Sequence, residues 1–116
     1  MIDSTYILHV VFYRSEAGNE PVREWLKGLS REDKRRIGED IKTAQLGWPL
    51  GMPPIRKIQK DLWEVRTTVE NGIARVFFTV EDGYMILLHG FVKKSQKTPQ
   101  HELKTAVVRL ANYKRG

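Results

Sequence analysis

Six basic residues in the second half of the chain could do chemistry together: Lys57, Arg66, Arg75, Lys93, Lys94 and Lys97. Three of them fall in "GFVKKSQKTPQ", where an apolar stretch ends and Thr98-Pro99 follows. Like charges at that spacing repel, so the fold gains little from them. Either they are solvated loop charges or they face something acidic. Convergent cations with aromatic neighbours suit a phosphodiester backbone and a stacked base, and Phe91 and His89 lie just upstream. RNA supplies its own nucleophile, the 2′-hydroxyl. A protein without a metal then has to help deprotonate that hydroxyl, stabilise charge on the phosphorane-like transition state and protonate the leaving oxygen. Lysine can exchange the proton, because crowding by other cations favours the neutral amine.

The rest of the composition narrows the classes. The chain has 116 residues and no cysteine, which fits one domain over 1–116 without disulfides or thiolate metal sites. His9, His89 and His101 lack the spacing of a metal site, and no cofactor is implied. No nucleophile elbow or phosphate-binding Gly loop occurs. No apolar run is long enough for a membrane span, and residues 1–15 do not read as a signal peptide, so a cytoplasmic protein is expected. The net charge of +6 is uneven. Residues 1–49 carry eight Lys/Arg against eight Asp/Glu, whereas residues 50–116 carry twelve against six. A basic half of this kind favours a polyanionic partner.

The elements that must position these residues follow from periodicity. Tyr6–Ser15 is rich in β-branched and aromatic residues and reads as a strand. Pro21 opens a helix whose Val22, Trp25, Leu26 and Leu29 share one face. Ser30 and Asp33 make a capping-box signature for a second helix, with Ile37, Ile41 and Ala44 as its apolar stripe and Gly47-Trp48-Pro49 as its end. Ile55–Gln59, Leu62–Val69, Ile73–Val80 and Tyr84–Val92 read as strands. Asn71-Gly72 and Asp82-Gly83 turn the last three into an antiparallel meander. Thr98-Pro99 caps a closing helix with Leu103, Ala106, Val107, Leu110 and Ala111 on one face. The expected fold is α+β, ordered β-α-α-β-β-β-α, with helices packed on one face of an antiparallel sheet.

The other sheet face is then expected to be solvated. Side-chain alternation assigns Arg66 and Arg75 to it, with Lys57, Phe91 and Lys93 or Lys94 nearby. Each residue also has a plain structural role open to it. A strand arginine can pair with Glu64, His89 can be a core or edge histidine, and Trp25, Trp48 and Trp63 can be core packing.

The segments "DLWEVRTT", "IARVFFTV" and "LLHGFVKKSQKTPQHELKTA" resemble the phage-derived, HigB-like branch of the RelE/ParE toxin superfamily. The resemblance runs over nearly the whole chain and implies a RelE-like fold. It also implies the toxin of a type II toxin–antitoxin pair: a ribosome-dependent, metal-independent mRNA endoribonuclease that inhibits translation. Its partners would be the ribosome, messenger RNA and a helix-turn-helix, HigA-like antitoxin. In that setting Arg66 and Arg75 would hold the scissile phosphate, and Lys57 with Lys93 or Lys94 would take acid–base roles. Phe91 would be a stacking platform, with His89 and Lys97 as further substrate contacts. Some superfamily members use a Tyr or His near the chain's end, where His101 and Tyr113 stand here. Two other readings share the fold or charge: a ParE-like gyrase inhibitor, and a non-catalytic RNA- or ribosome-binding module.

Overall fold

A computed structural model describes residues 7–49, 54–94 and 99–116. Its elements are β1 (His9–Phe12), α1 (Pro21–Lys27), α2 (Arg31–Gly47), β2 (Ile55–Gln59), β3 (Leu62–Val69), β4 (Gly72–Glu81), β5 (Tyr84–Lys93) and α3 (Gln100–Arg115). The α+β class expected from sequence is observed. The five strands fall on the five segments read as strands from the sequence; the expected order left out Ile55–Gln59, which pairs as an edge strand. The five-stranded sheet runs β1-β5-β4-β3-β2. β2 to β5 are antiparallel neighbours, whereas β1 returns beside β5 and pairs parallel to it.

The first sheet face is closed by the helical hairpin. Val22 of α1 and Ile37, Ile41 and Ala44 of α2 pack on Val65, Val76, Phe78, Met85 and Leu87. The three tryptophans border this core, with Trp48 edge-on to Trp63 at 4.8 Å. Close packing extends to the backbone: a Cβ on Gly90 would overlap the Trp25 ring, so only glycine lets α1 lie there. At the start of α2, Ser30 Oγ accepts from Asp33 N–H at 3.1 Å. Asp33 does not close the other half of the capping box; its Oδ1 accepts from Glu70 N–H at 3.4 Å and ties α2 to the β3–β4 turn.

The helices do not all share that face. Ala106 and Leu110 of α3 pack on the opposite side, against Leu62, Phe77, Ile86, Leu88 and Phe91. The expected solvated face is therefore half covered. The physical reason is visible in β5. Phe77 pairs with His89 but Phe78 pairs with Leu87, so Leu88 is an extra residue in a β-bulge. Strict alternation would set Met85 and Leu87 beside His89 and Phe91. The bulge breaks the parity, leaving Met85 and Leu87 in the hairpin core and turning Ile86, Leu88 and Phe91 toward α3. A second apolar surface results, and α3 buries it.

Turn geometry also departs by one residue at one end. Glu81 pairs with Tyr84 around Asp82-Gly83, both at positive φ, as the sequence suggests. At the other end Val69 pairs with Gly72, so the turn is Glu70-Asn71 and Gly72 lies in β4. Gly72 has φ +149, and a Cβ there would come within 2.6 Å of the Lys93 carbonyl. Glycine thus lets the end of β5, with Lys93 and Lys94, close against the start of β4.

Candidate nucleic-acid interface

Cross-strand register defines the charged half of the α3 face. Arg66 lies directly opposite Arg75, Glu64 opposite Phe77, and Arg75 opposite Phe91 on its other side. Lys93 pairs with Ile73, two residues from Arg75 on the same face. The expected juxtaposition of Arg66 and Arg75 is thus present, but the two arginines differ in access. Arg75 is 0% exposed. Its Nη1 donates to both oxygens of Glu64 at 3.2 Å, and Glu64 is itself 0% exposed. Arg66 is 28% exposed, with Nε 3.8 Å from the same carboxylate, an ion-pair rather than hydrogen-bond distance. Arg66 also lines an open groove of about 420 Å³ shared with Thr67, Thr68, Pro54 and, from α2, Arg36, Glu39 and Asp40.

Several sequence expectations are changed by this geometry. Lys57 pairs with Trp63, whose ring lies 6.0 Å from its Nζ, on the side of the helical hairpin. It does not share a face with Arg66. Its neighbour Arg56 does, because Arg56 is opposite Glu64. The alternation in "IRKIQ" separates the two residues. What sets the parity is the pairing of β2 with β3, a register that short edge strands specify weakly. Phe91 is only 6% exposed and belongs to the α3 core, so it is not an open stacking platform. Lys93 is half-buried and Lys94 exposed at the end of β5. Lys97 and Thr98 lie outside the described residues.

His89 is committed to holding α3. Its ring stacks between Phe77, at 6.4 Å, and Phe91, at 5.7 Å. Nδ1 lies 3.1 Å from Arg109 Nη1, and Nε2 lies 2.6 Å from Glu102 Oε1. Arginine offers only hydrogens, so Nδ1 must accept and the ring proton sits on Nε2, donating to Glu102. Burial holds the imidazole below its ordinary pKa; the Glu102 hydrogen bond opposes this and the Arg109 charge adds to it. Arg109 also donates to the Leu88 carbonyl at 2.9 Å, in the bulge. Glu102 and Arg109 thus clamp one imidazole from α3, a role their seven-residue spacing could have suggested.

The residues near the chain's end are placed elsewhere. His101 is exposed, its Nε2 3.5 Å from Glu102. Burial raises the Tyr113 phenol, as do the negative charges of Glu81 and Asp82 at the β4–β5 turn. That turn is six residues along β4 from Arg75, roughly 20 Å at the rise of a strand. Tyr113 therefore stands far from Arg66.

Helices on both sides of a five-stranded mixed sheet, with a buried Arg–Glu pair beneath a basic rim, define a small α+β domain of the RelE-like kind. Residues 24–111 match the family described as phage derived protein Gp49-like (DUF891), and the chain belongs to that family, which falls in the RelE/HigB-like group of toxin–antitoxin proteins. No curated protein matches the chain.

Proposed function

We propose that this protein is the toxin of a type II toxin–antitoxin pair and that it cleaves messenger RNA on the translating ribosome. The observation that carries the reading is Arg66, held at the surface beside a buried Arg75–Glu64 pair, on the face that also bears Arg56 and Lys93. Membership in the Gp49-like family supports it, as does the concentration of positive charge in the second half of the chain.

In this reading Arg66 holds the non-bridging oxygens of the scissile phosphate and offsets the charge that develops there. The 2′-hydroxyl oxygen attacks phosphorus and the bond to the 5′-oxygen breaks. The products are a 2′,3′-cyclic phosphate and a 5′-hydroxyl, with one proton leaving the nucleophile and one reaching the leaving oxygen. Lys93, the last residue of β5, and Lys94, next to it, are the amines assigned in this reading to those proton exchanges. His89 is not, because both ring nitrogens are engaged by α3. A helix-turn-helix antitoxin would neutralise the protein in the cell.

The burial of Arg75 and Phe91 favours a second reading, in which the same face binds RNA or the ribosome without cutting. Primer extension on messenger RNA after induction separates the two. Cleavage sites that appear only during active translation, and vanish with Arg66→Ala, are expected. Growth arrest with intact messenger RNA would favour binding alone, and arrest with DNA-damage signalling would favour a gyrase target.

A further inference from the structure

We propose that Glu64 is a positioning residue that, together with Arg75, presents Arg66 to RNA; the proposal rests on the RNA-directed reading above. Arg66 and Arg75 are direct cross-strand partners. Like charges in that relation repel, and on a largely dry surface the repulsion is weakly screened. The carboxylate of Glu64, two residues back along β3 on the same face, reaches both: 3.2 Å to Arg75 Nη1 and 3.8 Å to Arg66 Nε. Glu64 and Arg75 are both fully buried, so neither meets an RNA strand at this surface. Arg66 is the member that reaches solvent.

Two positive charges and one negative charge leave a net +1 for the set. A guanidinium has five N–H donors, so an ion pair at Nε does not exhaust its capacity to meet a phosphate. Contact at Nε also limits rotation of the group, which lowers the entropy lost when a phosphate is gripped. Glu64 and Arg75 thus act through Arg66, not on the substrate.

The sign of one substitution separates this role from simple electrostatics. Glu64→Gln removes a negative charge beside an RNA-facing surface, so a purely electrostatic view has RNA binding tighten. The positioning role has it weaken. Affinity for a fluorescein-labelled single-stranded RNA oligonucleotide would be measured by anisotropy across a salt series. Arg66→Ala should lower the salt slope by about 0.7, the share of one phosphate on a single strand. Glu64→Gln, shown to be folded by circular dichroism, should weaken binding as much as Arg66→Ala, and the double variant should bind no more weakly than Arg66→Ala alone. Unchanged or tighter binding by folded Glu64→Gln, or additive losses, would overturn the proposal. Should Glu64→Gln not fold, the unaltered protein decides: the Arg66 Nε–Hε group should be as ordered as the backbone by heteronuclear NOE, and a freely rotating group contradicts positioning. If the unaltered protein does not bind RNA, or Arg66→Ala leaves binding unchanged, the functional reading fails separately, while the NOE still reports on Arg66.

Discussion

The two faces of one sheet are built on different principles here. The hairpin face is mostly apolar, built on Val65, Val76, Phe78 and Leu87, with the Thr67 hydroxyl buried beside Ala74 and Lys57 at the β2 edge. The α3 face is divided. One half, around Phe77, Ile86 and Leu88, is an apolar seat for α3. The other half buries Glu64 and Arg75 and brings Arg66 to the surface. Burying paired charges is seldom better for stability than packing hydrocarbon. The contrast therefore points to a function for the charged half, since the hairpin face shows that this sheet can be closed without burying a charged pair.

The largest expected effects test whether the two faces differ in kind. Phe78→Ala and Glu64→Ala should each destabilise by about 3–5 kcal/mol, by opening a core cavity in one case and by leaving the buried Arg75 without its carboxylate in the other. The losses should differ in how they are repaired. Glu64→Leu combined with Arg75→Met should recover most of the stability, because a charged pair has an apolar substitute. Urea denaturation of the single and double variants would show this, and failure of the double variant to recover would mean that the pair is an integral part of the core.

A smaller effect tests packing on the hairpin face. Gly90→Ala places a methyl group into the Trp25 ring and should cost about 1–3 kcal/mol, as overpacking does. The loss should be relieved in part by Trp25→Leu, with urea midpoints as the readout.

The α3 seat has a pH dependence of its own. Its histidine is held below the ordinary pKa of 6.5, so the folded state binds fewer protons than the unfolded state as pH falls. The contribution of neutral His89 is complete above the unfolded value and is lost as pH drops through the folded value. Urea midpoints should therefore fall between pH 7.5 and pH 5, and His89→Gln should flatten that dependence. An equal pH dependence in His89→Gln would place its origin elsewhere. The smallest effect is expected at Lys57, which lies on the hairpin side: Lys57→Ala should change growth arrest much less than Arg66→Ala in the same induction assay.

Much of this could be read from residue patterns, and the failures share one cause. The helical stripes Val22/Trp25/Leu26 and Ile37/Ile41/Ala44, the strands, and the shared face of Arg66 and Arg75 follow from periodicity; the direct pairing of the two arginines does not, because it depends on the turn falling at Glu70-Asn71 and not at Asn71-Gly72. The position of α3 does not, because it depends on a single extra residue in β5 that leaves no composition signal. The bulge decides which residues of β5 form the second core and hence that Phe91 is buried. Lys57 and Arg56 exchange places for a similar reason: alternation fixes that they oppose each other, but pairing with Glu64 and Trp63 fixes which side each takes. Burial of Glu64 and Arg75 was hidden because "WEVR" reads equally well as a solvated strand. In each case the local pattern is right and the register, a long-range property, is what settles the surface.

The most direct test of the central claim, that the charged half of the α3 face serves function and not folding, is to remove its charge altogether. A Glu64→Leu, Arg66→Met, Arg75→Met triple variant would be followed by urea denaturation and by growth arrest on induction. The account predicts a protein about as stable as the original that no longer arrests growth. A triple variant that is equally stable and still arrests growth would contradict it.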